Sequence, residues 1–582
     1  MCRGLPGFAR FLRGIELKIP AVLSLSKDRF FPSPAREKRS FDKLRTAGRG
    51  EPKMSNYDIV VMGAGHNGLT AAAYMAKAGK KVLVLESKGH IGGGVSTREL
   101  IQPGFWHDEH SNVHIMIQGN PMLREDELGL LSKFGLDYIY PDLVHVSIWE
   151  DGTVIRSYKD LDRTCTELAQ TTSQKDADAY RKFVMASKEA LPMLMSGMYA
   201  PPFPLGAFVA MMDQSDEGRF LLDLMQRSAI DVVNQYFDSD LLKVHIVRMV
   251  TENLQMPDEL GTGMGAFVMP GIIHTFGCSM PRGGSGSLSK ALVRALEHWG
   301  GAVRTGATVK RVIVSSGKAM GLELEGGEQI MAKDGVIGAI HPHKLRQFVS
   351  ETPEPVLQRA ERVTQSTFSI NLTHIALKEK LQLKVGNDCN AMMTELMDFY
   401  TVRDMCLEYD KLRRGEVSHR LIAGGDNAIF DPSRAPAGSG VFYGVNFAPY
   451  HLFDGGAAAW DTQKEEHADR ALAQYRKFYK NLDDSNILGR LVCSPLDHER
   501  GSPNSMVEGD AHGCAPFFYQ SAGHRPTPDL GSLRVPEIEG LYLVGPFMHP
   551  GGGVFGAGRG TAIQMMDDMG IDYDKVCGGP IA

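Results

Sequence analysis

Apolar residues in this chain gather into short unbroken runs set between glycines, with longer mixed stretches between them. Tyr57–Met62 is one such run. The glycine-rich turn Gly63-Ala64-Gly65-His66-Asn67-Gly68 follows, then a helix-like stretch from Thr70 to Lys77, then a second apolar run from Lys81 that ends on Glu86. Short apolar runs bounded by turn residues are the pattern of buried strands. A second sharp block predicts a helix from Ser289 to Trp299, ended by Gly300 and Gly301. It continues as strands over 302–305 with 309–314, 319–325 and 329–340, with turns at 315–318 and 326–327. A third block predicts a strand over 540–545, a glycine-rich turn over 550–560 and a helix from Thr561. Elsewhere the pattern is weaker. Residues 120–190 and 346–534 alternate short strands and helices, Val144–Trp149 among the strands. Gly261, Gly263 and Gly265 have no strand before them, which predicts a loop or a closely packed helix.

The first block carries chemistry. Gly63 permits the tight turn out of a strand, Gly65 lets backbone approach a pyrophosphate, and Gly68 lets helix and strand pack closely. The helix start offers free N–H groups and a partial positive charge to phosphates. Glu86 closes the second strand, where a carboxylate accepts hydrogen bonds from ribose hydroxyls. The glycines at 92–94 let a loop pass near a cofactor. Glycine-rich blocks near 63, 283 and 551 fit one cofactor domain assembled from separated segments. The helix after the last block would aim its positive end at a redox ring and favour negative charge there.

Composition narrows the alternatives. The 582-residue chain is long enough for two or three domains. Its net charge of −6 argues against nucleic acid as a partner. The eight cysteines are scattered without C-x-x-C spacing, which weakens a zinc site or a dithiol motif and fits a reducing, cytoplasmic setting. No apolar run reaches the length of a transmembrane helix. Residues 1–53 are basic and lack a secretory apolar core. They read either as a leader or as an upstream extension of the reading frame before Met54, and poor order is expected there. Residues 184–212 are rich in Met, Phe and Pro. They read as a packed helical cap or as the mouth of a tunnel for an apolar substrate, resting peripherally on a membrane.

Asp58–Leu69 with Val82–Glu86 and Gly92-Gly93, then Gly283–Leu288 through Gly306–Val309, then Gly540–Gly545 through Pro550–Gly556, together resemble the FAD-dependent phytoene desaturase and carotenoid oxidoreductase family. The His66-Asn67 form of the first loop is similar to its carotene-ketolase-like branch and to pyridine nucleotide-disulfide oxidoreductase domain-containing protein 2. The resemblance covers about residues 55–570. It implies a mixed α/β fold (α+β overall). A discontinuous Rossmann-type FAD domain would be built from 54–145, 281–345 and 535–575. A substrate domain of antiparallel sheet and helical cap would be built from 146–280 and 346–534. It also implies non-covalent FAD held by Gly63, Ala64, Gly65, Asn67, Gly68, Glu86, Gly92, Gly93 and Val309, with Gly545, Gly552, Gly553 and Val554 near the flavin.

The activity implied is oxidation of an apolar, isoprenoid or lipid-like substrate by hydride transfer, in the form of desaturation, ketolation or isomerisation. A flavin amine oxidase and a non-catalytic prenyl binder are the alternatives. No second nucleotide unit occurs, so oxygen or a quinone is the expected electron acceptor. No metal is expected. His107, His110 and His114 make a polar segment unlike a pure polyene site, with surface or hydrogen-bonded roles as the plain reading. Among His274, His512, His524 and His549, His549 is the candidate for a place beside the flavin because it directly precedes the 550–553 turn.

Overall fold

In the computed structural model residues 57–578 are described; the basic segment 1–53, and the expectation about its order, lie outside them. The first of two seven-stranded sheets takes strands from three distant segments. Its parallel part runs Ala302–Arg304, Val82–Leu85, Tyr57–Met62, Gln329–Gly338 and Leu541–Leu543. The strand Gln329–Gly338 does two jobs. Its first half pairs antiparallel with Lys318–Leu324, which pairs with Val309–Ser315. Its second half pairs parallel with Tyr57–Met62 and Leu541–Leu543.

The unbroken apolar runs have their cause here. Ile59, Val61, Val84 and Ile337 face one core with the helices His66–Lys77, Gly286–His298 and Ala557–Asp568, while Val60, Leu83, Leu85 and Val336 face another. A strand buried on both faces has no polar alternation to show. The first helix starts at His66, ahead of the expected Thr70, because Gly65 already sits at its N-cap and Leu69 N–H reaches the Gly65 carbonyl at 2.9 Å. Glu127 ties the helices together. It accepts from the Tyr74 and Tyr573 hydroxyls and takes the Arg559 guanidinium at 2.8 and 2.9 Å.

The second sheet runs in the order Ile487–Cys493, Ser369–Leu377, Gly440–Ala448, Ile422–Asp426, Met393–Met397, Leu143–Trp149 and Val154–Tyr158. It is antiparallel except where Met393–Met397 runs parallel to Leu143–Trp149. The strand Leu143–Trp149 crosses the expected boundary at residue 145 and lies wholly in the second sheet.

A cap of helices packs on itself beside this sheet, chiefly Gln174–Met198, Asp216–Gln226, Ala229–Tyr236, Asp240–Thr251 and Gly263–Phe276, with Asp240–Thr251 against the strand Val154–Tyr158. Ser173, Ser215, Ser228 and Ser239 each accept a hydrogen bond from a first-turn amide, which starts four of these helices. Residues 263–265 open a closely packed helix, one of the two forms the sequence allows. A Cβ on Gly263 would sit 2.7 Å from the Leu224 carbonyl, and one on Gly271 would overlap Ser187. Among the described residues no helix is long and apolar enough to cross a membrane.

Candidate functional site

A cavity of about 900 Å³ runs between the two sheets, at the upper end of the roughly 300–1,000 Å³ common for small-molecule sites. One end is built from backbone. Gly63 takes φ +95° as the chain leaves its strand, a conformation that glycine adopts without strain. A Cβ on Gly65 would meet nothing within 4 Å, so its open face is the cavity itself. A Cβ on Gly68 would overlap the Gly63 carbonyl oxygen, so here glycine is required for packing. His66, Asn67 and Gly68 bring the amide-rich start of the helix into the wall. Asn67 Oδ1 also accepts from Gly558 N–H at 3.3 Å, joining the first and last cofactor-side helices at their starts.

Glu86 lines the same end, its two oxygens accepting from the amides of Ala64 and Lys88, each at 2.9 Å. Ala64 itself is absent from the wall, and its role is this amide. Gly92 also stays behind the wall. It bridges in parallel to Gly65 and donates to the Ala64 carbonyl at 2.9 Å, while Gly93 lines the cavity. Val309, Gly545, Gly552, Gly553 and Val554 all line it. The structure thus gathers residues from three distant segments onto one cavity. Those open faces and the helix start without a side-chain cap fit a dinucleotide.

His549 lies elsewhere. Its Nε2 is 2.9 Å from the Gly197 carbonyl at the end of the long cap helix, and it is not part of the wall. Burial lowers its pKa to about 4, so it is neutral near pH 7. His512 is the histidine at the glycine turn: it lines the cavity, and a Cβ on Gly552 would overlap its Cα. Burial lowers its pKa, with Asp510 opposing.

The other end is built from side chains. Leu194, Met198, Met225, Met249, Met264, Val268, Met269 and Ile272 face it from four cap helices. Met198 belongs to the methionine-rich stretch singled out in the sequence, while Phe203 and Met211 of that stretch stand half-exposed outside. One polar cluster interrupts this wall. Arg248, 1% exposed, is ion-paired with Glu395, and its Nη2 lies 3.8 Å from Glu252 Oε1. Burial, then the charge of Glu395, raises the pKa of Glu252 well above its ordinary value, with Arg248 opposing. Sequence reasoning missed this cluster. A lone arginine inside the apolar run Val244–Val250 was the available signal.

A belt of histidines backs the wall. His107 and His374 meet edge-to-face at 5.5 Å and His110 and His498 at 5.0 Å, with Tyr443 beside His374. Of the surface or hydrogen-bonded roles expected, buried His114 takes the second, its Nδ1 lying 2.9 Å from the Tyr138 hydroxyl, while buried His107 takes neither. Both ring nitrogens of His107 and His374 lack hydrogen-bond partners among the described residues. Burial lowers His107 and His374 to about 3 and His498 to about 4. Among the described residues no group of three or more His, Cys, Asp or Glu side chains is arranged to hold a metal ion.

Comparison with known proteins agrees with this geometry. The family described as flavin containing amine oxidoreductase matches residues 68–557. A limonene dehydrogenase polypeptide of Castellaniella defragrans is 26% identical over 539 residues, 88% of this chain and 95% of that protein. Pyridine nucleotide-disulfide oxidoreductase domain-containing protein 2 of Rattus norvegicus is 27% identical over 561 residues, 88% and 94% of the two chains. The lycopene-forming phytoene desaturase of Pantoea ananas is 26% identical over 525 residues, 88% and 99% of the two chains. Among solved structures, a redesigned putrescine oxidase superposes with a TM-score of 0.57 at 15% identity, over 88% of this chain and 98% of that one, a likeness of fold.

Proposed function

The chain belongs to the family of flavin-containing amine oxidoreductases, and on that premise we propose that it dehydrogenates an apolar, isoprenoid-class substrate with non-covalent FAD as hydride acceptor. The observation that carries this reading is the continuity of one cavity, from the amide-lined dinucleotide end to a methionine-lined chamber. When bound, the flavin supplies the two-electron acceptor.

The chain's own residues do the rest. Gly65, His66, Asn67 and Gly68 present open backbone and helix-start amides to the pyrophosphate. Glu86 and Val309 hold the adenosine end, and Gly545, Gly552, Gly553 and Val554 flank the ring. Gly93 lines the loop crossing, and Ala64 and Gly92 support the loop from behind. Methionine side chains are flexible and polarisable, so the chamber adapts to an irregular hydrocarbon and excludes water from it. Limonene and phytoene, named for two relatives, are hydrocarbons of the isoprenoid class. Oxygen or a quinone would take the electrons onward. The exposed apolar helix Leu205–Met212, beside residues 522–524 near the cavity wall, would rest on a lipid surface that delivers such a substrate.

An amine substrate is the second reading, favoured by the carboxyls of Glu252 and Glu395 in the chamber. Against it, Arg248 is ion-paired with Glu395, and burial beside that charge disfavours the charged form of Glu252. Anaerobic mixing of the yellow holoprotein with monoterpenes, carotenoids, apolar alcohols and amines decides the matter. Bleaching of the flavin by isoprenoids supports the proposal. Bleaching by amines alone overturns it.

A further inference from the structure

Three arginines are among the largest fully buried side chains of the protein: Arg248, Arg434 and Arg525. Two have carboxylate partners. Arg248 pairs with Glu395, and Arg434 pairs with Asp108 at 2.9 Å. Arg525 is as deeply buried, at 1% exposure, yet its hydrogen bonds go to carbonyl oxygens alone. They reach Ala515 at 3.3 Å, His512 at 3.1 Å, Cys514 at 3.0 Å and Pro546 at 3.0 Å. Its Nε has no partner among the described residues. Among the described residues no carboxylate is within ion-pair distance of it; buried Asp510 acts on the same His512 and Cys514, and carbonyl dipoles offset only part of the cost of a buried charge.

The position of Arg525 is as informative as its isolation. It lines the cavity at the glycine turn. A Cβ on Gly551 would lie 3.3 Å from Arg525 Cζ and 3.4 Å from Nε, so the guanidinium sits directly against that backbone. Gly551 takes φ +126°, which other residues rarely adopt, and as a glycine it places no side chain of its own on the guanidinium. The same arginine binds the carbonyls of His512 and Pro546, both of which also line the cavity.

We propose that Arg525 is the fixed cation of the redox site, holding the negative charge that the flavin ring acquires on reduction. This rests on the flavin reading above. Hydride transfer moves one proton and two electrons from a substrate C–H bond to a neutral ring. The ring would then carry one extra negative charge, and the substrate, left one positive charge by the loss of the hydride, would shed the proton of the adjacent C–H to water as its double bond forms. In a cavity of lower dielectric constant than water a fixed cation favours that anion more than it would in water. Arg525 adds a full charge to the partial one at the start of the helix Ala557–Asp568.

The test compares the flavin-loaded protein with its Arg525→Gln and Arg525→Lys variants, by sulfite titration and by redox potentiometry. Sulfite adds to oxidised flavin and leaves the ring anionic, so it reports the same charge without substrate. Arg525→Gln is expected to weaken sulfite binding by about tenfold or more, with a potential about 30 mV lower for each tenfold loss in the two-electron equilibrium. Arg525→Lys is expected to restore most of both, although it cannot reproduce the four carbonyl contacts. Equal potentials in all three proteins, or a change in FAD affinity alone, would overturn the proposal. If neither variant folds, the wild-type protein answers. Its reduced flavin is expected to stay anionic across the pH range in which the protein is folded, and a neutral reduced flavin refutes the assignment. A colourless protein instead refutes the flavin reading on which the proposal rests.

Discussion

The two ends of the cavity are made of different material. The dinucleotide end is backbone: glycines with open or crowded faces, helix-start amides, and carbonyls in fixed register. The substrate end is side chain: methionines from several helices, a buried ion pair and, behind them, His107 and His374 with no hydrogen-bond partners among the described residues. Backbone geometry tolerates little, because a single Cβ meets an immovable atom. A methionine wall gives, because each side chain has several torsions to spend. The comparison teaches that one cavity can be rigid where its ligand is invariant and compliant where its ligand is irregular.

The largest effect should come from two neighbouring glycines that differ only in what lies above them. Gly68→Val drives its side chain into the Gly63 carbonyl, and overpacking of backbone on backbone is expected to cost about 3 kcal/mol or more and to abolish soluble expression. Gly65→Val enters open space instead. It should keep the thermal midpoint of the apoprotein while flavin absorbance after purification falls to background. Equal flavin content in Gly65→Val and wild type would break the comparison at its rigid end.

Next in size is acid sensitivity on the side-chain end. His107 and His374 have folded pKa values of about 3, below the unfolded value of about 6.5. Between those values the unfolded chain binds more protons, so stability is fully present above about pH 6.5 and is lost as pH falls toward 3. The loss should amount to several kcal/mol, read by denaturant melts at successive pH values. His374→Phe should flatten that acid limb, and an unchanged limb would show that these rings do not titrate with unfolding.

A smaller effect should follow from crowding the compliant wall. Met264→Trp narrows the chamber and should change the ratio of kcat/KM between a short and a long isoprenoid by roughly tenfold, with flavin content unchanged. The smallest belongs to His549→Ala, which removes one bond to the Gly197 carbonyl. About 1 kcal/mol of stability should go, with the flavin potential unmoved. A shifted potential in that variant would return His549 to the redox site.

Legibility followed the same division. The glycine blocks could be read because φ +95° at Gly63 and the close approach of Gly68 exclude almost every other residue, so the constraint is written in the residue type. The parallel strands could be read because both their faces are buried. His549 was the natural candidate because it adjoins the 550–553 turn, yet its ring points to Gly197, while His512, far away in sequence, packs on Gly552. Neighbours in sequence set a backbone position and leave the direction of a side chain open. Arg248 left a faint mark as a charge in an apolar run, and Arg525, in a polar loop before Pro526, left none.

By itself, then, the sequence determined the glycine turns and buried strands of distant segments that meet at one cavity, because glycines and buried strands answer to local backbone sterics. Only the tertiary structure decided which side chains share the chamber: Glu252 beside Glu395 and Arg248, His512 rather than His549 at the glycine turn, and Arg525 as the one of three buried arginines without a carboxylate. Those pairings join residues far apart in the chain. Burial and charge balance select them only once the sheets and cap have closed around the cavity.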